Sequence, residues 1–506
     1  MEFYSHPDKA LYNHLLETYE FGKNQIDFEN IEIYKIIAYS HDIGKYTTYF
    51  QNHLFGIKES NLSDHSYISA LFGSFIGLKI GLNFIDILII YNVINNHHGN
   101  IKNIDFYESS YNEEKIQKQI LDLKNNKKDI IKSISKINFQ NEFLEFIEDF
   151  NYKEHIKMLN SYIYSIKKNK NLNNYFKHQE LYSALVYSDK LSASKIKENQ
   201  LLELQTEKIF KEYKKTFSIK NTNFMNDIRN KIYEEIQKNC ENIEKKDKII
   251  TITAPTGTGK TYSGFLAALK IKQRFNKKKI IYVLPYTSII DQNYEKIKIL
   301  LKTNKEFHKK ESQYIIKHHY LSKKEYIDDK ERYTNSQSEI LFESWDSNII
   351  VTTYVQLLET IISNKNRYLK KYNQIKDSIV ILDEIQTVDI KFYYLIEKVI
   401  EKFSEKYEVP FLIMTATKPI IFQNYKELLM NNKDFFSKFN RIKLNVNLEK
   451  ITIDEITKQI NEIKNNNSIL IICNTIKESL EIYNNLKSDK SYYLSTNILP
   501  IDRKKK

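Results

Sequence analysis

The stretch from Ile249 to Thr261 constrains the fold of this chain most strongly, because a strand-forming run is followed directly by a glycine-containing turn. It reads Ile-Ile-Thr-Ile-Thr-Ala-Pro-Thr-Gly-Thr-Gly-Lys-Thr. Gly257 and Gly259 lack Cβ atoms where backbone N–H groups must curl around an anion, and the helix expected to begin at about Thr261 adds the positive end of its dipole. The pattern predicts a buried strand that leads into a phosphate-binding loop.

This loop indicates an ATP site with a bound Mg²⁺ ion. Lys260 is expected to reach the β- and γ-phosphates, and the Thr261 hydroxyl is expected to bind Mg²⁺. Upstream of the loop, Arg229 and Asn226 are expected to contact the base of ATP. The predicted loop contacts are Ala254, Thr256, Gly257, Thr258, Gly259, Lys260 and Thr261.

Further short apolar runs follow the loop and alternate with helical stretches. Runs of this kind are typical of strands that are buried in a parallel sheet. They are Ile280 to Leu284, Ile349 to Thr352, Ile379 to Leu382 and Phe411 to Met414. The alternation predicts an α/β domain that is RecA-like in the doubly wound sense.

Polar segments follow several of these predicted strands. Asp383-Glu384 comes directly after a strand, where parallel sheets bind ligands. Asp383 is predicted to hold Mg²⁺, and Glu384 to orient or deprotonate the attacking water. Leu284 to Ile289 and Thr352 to Tyr354 are expected to meet the phosphates of a nucleic-acid strand, and Thr415 to Thr417 to sense the nucleotide.

Up to about residue 200 the apolar spacing is helical, as in Ile33, Ile36 and Ile37. The region therefore predicts an all-α domain with histidines near helix ends. The adjacent pair His41-Asp42 is its sharpest feature, because neighbouring side chains can bind one metal ion, or a carboxylate can bridge two. The candidate metal ligands are His14, His41, Asp42, His65, His97, His98 and Asp189.

The chemistry of these candidates indicates which metals they suit. Imidazole and carboxylate together suit Mn, Fe, Co, Ni or Zn better than Mg alone. Two such ions about 3.5–4 Å apart can activate water and stabilise the leaving oxygen of a phosphodiester. Lys45, which follows Asp42 closely, is expected to neutralise the scissile phosphate, whereas His6 has no such context and is interpreted as a surface or packing residue.

This ordered set of histidines and aspartates resembles the HD nuclease domain of the CRISPR-associated type I helicase–nucleases. The resemblance implies that His14, His41, Asp42 and Asp189 bind one metal ion, and that Asp42, His65, His97 and His98 bind a second. A one-metal HD phosphohydrolase needs only the first group. The additional histidines therefore favour a two-metal nuclease, with Mn, Fe, Co or Ni as the metal.

The helicase motifs resemble the same family, whose helicase belongs to superfamily 2. The likeness extends to Ile469 to Thr475, whose apolar run is predicted as an exposed strand, and to Tyr493 to Pro500, both similar to the opening motifs of a second RecA-like lobe. Such a lobe needs well over about 100 residues, and the family's Gln-x-x-Gly-Arg-x-x-Arg motif does not occur. We therefore expect a C-terminally truncated member without full helicase activity. The predicted domains are residues 1–200 (HD nuclease), 201–220 (helical linker), 221–445 (first RecA-like domain) and 446–506 (start of the second).

Composition narrows the class of protein. A net charge of +13 over 506 residues favours an anionic partner such as nucleic acid, although abundant Lys, Asn and Ile make an A/T-rich coding bias an equal explanation. The only cysteines, Cys240 and Cys473, are far apart, which indicates a reduced, cytoplasmic compartment. The most apolar stretch, Asn83 to Ile94, is interrupted by polar residues, so we expect no membrane segment.

These predictions combine into one hypothesis with two alternatives. The hypothesis is a metal-dependent single-stranded DNA nuclease coupled to an ATP-dependent 3′ to 5′ helicase that degrades invader DNA in type I CRISPR antiviral defence. The resemblance implies single-stranded DNA and the surveillance complex Cascade, with its guide RNA, as partners. The alternatives are an HD nucleotide phosphohydrolase with a regulatory ATPase, and a non-catalytic DNA-binding remnant.

Overall fold

The computed structural model describes residues 2–104, 110–168, 171–196, 201–217, 224–322, 326, 333–417, 421–439, 443–463, 468–486, 491–499 and 502. These residues form two compact units, Met1–Phe439 and Asn440–Lys506. Several sequence predictions reach outside the described residues, at the domain bounds 197–200 and 218–223 and at Pro500 of the last motif.

The N-terminal part of the first unit is almost entirely helical. A short antiparallel pair, β1 (Tyr4–His6) and β2 (Lys9–Ala10), precedes the helices. The helices are α1 (Leu11–Lys23), α2 (Ile31–Ser40), α3 (Thr48–Leu54), α4 (Ser66–Lys79), α5 (Phe84–Asn96), α6 (Ser110–Asn125), α7 (Lys127–Ile134), α8 (Gln140–Asp149), α9 (Tyr152–Lys168) and α10 (Leu172–Ala193).

Close packing of these helices explains how the region builds its core. Helix α4 is buried along most of its length because it packs directly on α5. Gly73 permits this approach, since a Cβ at that position would lie 2.6 Å from the Ile94 Cδ1 atom. Helix α1 packs on α10, which brings the two ends of the helical region together.

The rest of the first unit is a parallel sheet with helices on both faces. Its strands are β3 (Ile249–Thr253), β4 (Lys279–Leu284), β5 (Ile315–His318), β6 (Ile349–Thr353), β7 (Ser378–Asp383), β8 (Phe411–Thr415) and β9 (Lys426–Glu427), in the spatial order β5-β6-β4-β7-β8-β3-β9. The helices are α11 (Thr206–Phe217), α12 (Phe224–Asn239), α13 (Lys260–Arg274), α14 (Thr287–Leu301), α15 (Glu311–Tyr314), α16 (Asn335–Glu343), α17 (Tyr354–Ile362), α18 (Asn366–Leu369), α19 (Tyr372–Lys376), α20 (Tyr393–Tyr407) and α21 (Asn432–Ser437).

Alternation along the strands divides the core of this α/β region into two layers. Ile280, Tyr282 and Leu284 of β4 face one apolar cluster, whereas Ile281 and Val283 face the other. Both faces are therefore covered, as expected for a parallel sheet. The α/β prediction is confirmed, and the carboxyl ends of the strands share one edge.

Two strands of this parallel sheet, β5 and β9, are not predicted from the sequence. Residues Lys426–Glu427 of β9 are polar and join the sheet only through pairing with β3. The predicted linker also has a packing role, because Leu204, Ile209 and Tyr213 lie in the apolar cluster on one face of the sheet.

The described residues of the second unit contain the helices α22 (Ile453–Glu462) and α23 (Ile476–Asn485). The prediction of a strand at Ile469 to Ile472 is wrong, because these residues are not in a strand. Their predicted exposure is confirmed, since Leu470 and Ile472 are each 84% exposed. A strand needs a partner backbone to satisfy its N–H and C=O groups, and the described part of this unit forms no sheet.

Candidate metal centre and nucleotide site

The structure brings together all the side chains that were predicted as metal ligands. They form two groups, and within each group the ligand atoms all lie within 4.8 Å of one another. Asp42 belongs to both groups. The groups are His14, His41, Asp42 and Asp189, and Asp42, His65, His97 and His98.

Helix ends position most of these side chains. His41 is the C-terminal cap of α2 and His97 that of α5, whereas His65 is the N-terminal cap of α4. The turn after Asp42 passes very close to α4, because Gly44 has no Cβ; a Cβ there would lie 2.6 Å from the His65 carbonyl oxygen. The packing of these helices therefore fixes the ligand positions.

The carboxylate of Asp42 lies between the two groups. Its Oδ2 atom is 3.2 Å from His14 Nε2 and 3.5 Å from His41 Nε2. Its Oδ1 atom is 3.2 Å from His65 Nε2 and 3.6 Å from His97 Nε2. Each oxygen thus faces one group, which is the arrangement that a bridging carboxylate requires.

Backbone carbonyls determine the tautomers of two of the histidines. His41 Nδ1 donates to the Ala38 carbonyl at 2.8 Å, and His97 Nδ1 donates to the Ile94 carbonyl at 2.5 Å. A carbonyl only accepts, so each Nδ1 carries the proton and the Nε2 of the neutral ring carries a lone pair. In both residues Nε2 is the atom that faces the carboxylate, as in a metal ligand held by its other ring nitrogen.

A side-chain relay holds His14 in the same way. Ser192 Oγ donates to Glu17 Oε2 at 3.0 Å, so the hydroxyl oxygen accepts from His14 Nδ1 at 2.8 Å. Lys9 contacts both Glu17 and the Ser192 carbonyl. No local sequence pattern indicates a role for Glu17 or Ser192, because Ser192 approaches this part of α1 only through the packing of α1 on α10.

The electrostatics of the centre reflect burial and opposite charge. Burial raises the pKa of Asp42, but Lys45, His41 and the other histidines outweigh it and hold that pKa well below its usual range. Burial lowers the pKa of His41 below its ordinary value, although Asp42 and Asp189 oppose this shift. Burial also opposes charge on His14, yet Asp189 and Asp42 raise the His14 pKa above its ordinary value. Lys45 Nζ lies 2.7 Å from Asp42 Oδ2.

Several buried polar atoms of the centre have no hydrogen bond within the described residues. They are Nε2 of His97 and both carboxylate oxygens of Asp42, although Oδ2 of Asp42 forms an ion pair with Lys45 Nζ. Buried polar atoms without hydrogen bonds are costly. In addition, a lone pair on an imidazole nitrogen is repelled by a carboxylate oxygen that faces it. A divalent cation would satisfy all of these atoms, and the mixed imidazole and carboxylate donors suit Mn, Fe, Co or Ni. The residues present therefore fit the predicted metal ions.

The two groups differ in their access to solvent. His14 and His41 are fully buried, whereas His65 is partly exposed and His98 is exposed. His65 Nε2 and His98 Nε2 lie 2.8 Å apart at this open side. His6, which was interpreted as a surface or packing residue, lies edge-on to His14 with ring centroids 5.6 Å apart, so it belongs to the rim of the centre.

The predicted phosphate-binding loop connects β3 to α13. Gly257 and Gly259 have φ of 79° and 83°, in the left-handed region that glycine adopts without strain. Gly259 is the N-terminal cap of α13, so the first N–H groups of this helix point into the loop. Lys260 Nζ donates to the Ala254 carbonyl at 3.1 Å and lies 3.4 Å from Glu384 Oε1.

Asp383 and Glu384 lie at the carboxyl edge of the sheet beside this loop. Burial raises the pKa of Asp383 to about 6, and Tyr282 donates to its Oδ2 atom at 2.9 Å. Glu384 has a left-handed backbone with φ of 54°, which turns the chain sharply after β7. Thr261 donates to Asn293 Oδ1 at 3.4 Å. The sequence analysis did not predict a role for Tyr282 or Asn293. Tyr282 lies in the apolar strand β4 and Asn293 in the helix α14, and neither element carries a recognisable motif at that position.

Two more predicted residues lie near the loop. Arg229 donates from Nε and Nη2 to the Gly257 carbonyl at 3.1 and 3.0 Å, so its contact with the base of ATP stays a prediction. Thr415 Oγ1 donates to Gln386 Oε1 at 3.0 Å, and the Gln386 amide in turn donates to Glu384. The predicted nucleotide sensor is therefore linked to the predicted water-orienting carboxylate.

Comparison with known proteins supports both halves of this description. Residues 11–126 match the HD domain family, and residues 226–424 match the DEAD/DEAH box helicase family. The chain is 31% identical over 195 residues to the CRISPR-associated nuclease/helicase Cas3 of Haloferax volcanii, which covers 35% of this chain and 20% of that protein. It is 26% identical over 266 residues to a protein of Methanocaldococcus jannaschii named as a CRISPR-associated nuclease/helicase Cas3, which covers 49% of this chain and 35% of that protein.

The fold is similar to that of a solved relative. The T. fusca Cas3 structure with AMPPNP superposes with a TM-score of 0.51 at 15% identity, over 88% of this chain and 54% of that one. The predicted resemblance and the order of the two folds are confirmed, while this chain spans about half of that relative and less of the curated ones. Within the described residues, every helix is too short or too polar to cross a membrane.

Proposed function

We propose that this chain, which joins an HD domain to a DEAD/DEAH box helicase domain, carries a metal-dependent nuclease of single-stranded DNA and the ATP-binding part of a 3′ to 5′ helicase. The observation that carries the proposal is the position of the Asp42 carboxylate between two ligand groups. Within each group the ligand atoms lie within 4.8 Å of one another. A site with two metals suits phosphodiester hydrolysis. A phosphohydrolase with one metal would leave His65, His97 and His98 without a purpose.

In the nuclease reaction the two metal ions would activate water and stabilise the leaving oxygen. His14, His41, Asp42 and Asp189 would hold one ion, and Asp42, His65, His97 and His98 the other. Because the first group is buried, the substrate would approach the metal ions from the side of the exposed His98. Lys45, close to Asp42 Oδ2, supplies a positive charge beside the scissile phosphate.

In the helicase reaction the chain's own residues bind and orient ATP. Lys260 would exchange its contacts with Ala254 and Glu384 for the β- and γ-phosphates, and Thr261 and Asp383 would hold Mg²⁺. Glu384, released from Lys260, would then orient the attacking water. The segments after β4 and β6 open onto the same edge of the sheet and offer hydroxyls to a nucleic-acid backbone.

Cleavage of circular single-stranded DNA by the purified, metal-stripped chain tests the nuclease proposal. Adding Mn²⁺, Co²⁺ or Ni²⁺ without ATP should linearise and then degrade the circle, because an endonuclease needs no end. Mononucleotides serve as a parallel substrate. Hydrolysis of mononucleotides while the DNA circles stay intact would establish the nucleotide phosphohydrolase instead. Turnover of neither substrate would favour the non-catalytic DNA-binding remnant.

We further propose that the biological substrate is the displaced DNA strand opened by the type I CRISPR surveillance complex Cascade and its guide RNA. The curated relatives are named as CRISPR-associated nuclease/helicase Cas3, which supports a role in CRISPR interference. Cleavage should be faster on the displaced strand of a Cascade-bound target than on the same duplex without Cascade. Equal rates on the two substrates would separate this chain from CRISPR interference without affecting the nuclease proposal.

A further inference from the structure

One residue of the helicase region contacts the helical region at the metal centre. Asn366 is the first residue of α18, which follows β6 and precedes β7 in the sequence. Its Nδ2 atom donates to the His97 carbonyl at 3.0 Å and to the Tyr182 hydroxyl at 2.9 Å. Its Oδ1 atom accepts from Lys190 Nζ at 3.0 Å, and its backbone N–H donates to Asn100 Oδ1 at 3.1 Å.

These contacts fix the orientation of the Asn366 amide. Lys190 can only donate, and the His97 carbonyl can only accept, so oxygen and nitrogen cannot be exchanged. Both amide hydrogens have partners, and the amide oxygen accepts from a charged group. Hydrogen bonds that involve a charged group are the stronger class.

The partners of Asn366 belong to the two elements that carry metal ligands. The His97 carbonyl is part of the peptide unit that joins His97 to His98, so holding this oxygen fixes the backbone from which both imidazoles project. Lys190 directly follows Asp189 on α10. Tyr182, also on α10, donates to the Gly99 carbonyl at 2.5 Å and so holds the turn just after the two histidines.

We infer that Asn366 is a positioning residue of the metal centre, supplied by the helicase region to the HD region. It acts through the His97–His98 peptide and does not touch a metal ion or the substrate. The inference rests on the proposed two-metal nuclease. It implies that the group Asp42, His65, His97 and His98 has its full metal affinity only when α18 is docked.

The test is a Mn²⁺ titration of the full, metal-stripped chain with the substitution Asn366→Ala. Because residues that orient ligands typically change metal affinity 10- to 100-fold, we expect one of two binding steps to weaken by about tenfold and the other to stay unchanged. The cleavage rate at subsaturating Mn²⁺ should fall in parallel and recover at high Mn²⁺. KM for DNA should not change.

Asn364→Ala is the matched control. Asn364 is also an asparagine at this interface, and its Nδ2 atom donates to the Ile101 carbonyl at 3.0 Å, beyond the ligand turn. We expect wild-type Mn²⁺ binding in this variant. Asn366→Asp is the second variant: it keeps the acceptor for Lys190, replaces the donor with an oxygen that faces the His97 carbonyl, and should weaken the same step as Asn366→Ala.

The inference is overturned if Asn366→Ala and Asn364→Ala weaken Mn²⁺ binding equally, since the role would then be general docking. It is also overturned if Asn366→Ala leaves both steps unchanged, or if the wild-type chain binds only one Mn²⁺. Two normal binding steps without DNA cleavage in the wild type would refute the nuclease proposal instead, and the titration of the variants would still decide the role of Asn366.

Discussion

The metal centre and the nucleotide site of this chain differ in how far their ligand-binding atoms are already hydrogen-bonded within the protein. At the metal centre, buried atoms of Asp42 and His97 have no hydrogen bond among the described residues, and Lys45 meets only one oxygen of Asp42. At the nucleotide site, Lys260 is already in contact with Ala254 and Glu384, and Asp383 accepts from Tyr282. The first site is preorganised for a cation, whereas the second must exchange internal contacts for ATP.

The same difference appears in the two buried aspartates. Asp42 has Lys45 and several imidazoles around it, and its pKa lies well below the usual range despite full burial. Asp383 has less positive charge near it, so burial dominates and raises its pKa to about 6. A buried carboxylate therefore keeps a low pKa only where the fold also buries positive charge.

The largest effect is expected for Asp42→Ala. This change removes the only side chain shared by both ligand groups, so cleavage of single-stranded DNA in Mn²⁺ should fall by about a thousandfold or more, which corresponds to roughly 4 kcal/mol. ATP binding should not change. Rates on circular single-stranded DNA and a Mn²⁺ titration provide the measurements.

Asp64→Asn is the matched control for this substitution. Asp64 precedes His65 and pairs with Lys115 outside the ligand groups. The Asp64→Asn variant should cleave single-stranded DNA at nearly the wild-type rate. If Asp42→Ala cleaved DNA at the rate of this control, the nuclease site would lie elsewhere, and the comparison of the metal centre with the nucleotide site would no longer hold.

Lys260→Ala should separate the two sites. Losing a charged hydrogen-bond donor to the phosphates should weaken ATP binding by about 10- to 100-fold, while Mn²⁺-dependent nicking persists. Fluorescent ATP-analogue binding and nicking are measured on the same preparation. Lys270→Ala, on the same helix but directed at the Gln237 carbonyl, should alter neither activity. Parallel loss of both activities in a folded Lys260→Ala protein would show that the sites work as one.

Ser192→Ala should weaken metal binding through His14 alone. Without the hydroxyl, His14 Nδ1 loses its partner and the relay to Glu17 is broken, so one Mn²⁺ binding step should weaken by about tenfold. Ser194→Ala is the control, because its hydroxyl donates to the Lys190 carbonyl instead. Identical titrations of the two variants would exclude a role for the relay.

The smallest effect concerns pH. Because the Asp383 pKa is raised to about 6, this carboxyl is protonated below pH 6 and must lose its proton to bind Mg²⁺. Affinity for Mg²⁺ and an ATP analogue should therefore fall as pH decreases, by about fourfold at pH 5.5. Asp383→Asn should bind weakly with no such dependence. An unchanged affinity between pH 7 and 5.5 would mean that Asp383 is ionised throughout.

Much of this molecule can be predicted from local sequence patterns. The loop from Ile249 to Thr261 predicts β3, the turn and α13, because strand propensity, glycine and Lys-Thr act within a few residues of one another. Asp383-Glu384 predicts a ligand site for the same reason, since the carboxyl ends of parallel strands share one edge. The polar strand β9 could not be predicted, because it forms only through pairing with β3.

The sequence determined which side chains are able to bind metal, from His14 to Asp189, because residue type and order are local properties. The tertiary structure alone decided that one oxygen of Asp42 faces each group, that Ser192 and Glu17 hold His14, and that Asn366 reaches His97. These contacts depend on how α1, α2, α4, α5, α10 and α18 pack. Interhelical packing places atoms far apart in sequence within hydrogen-bonding distance, and no local pattern encodes that distance.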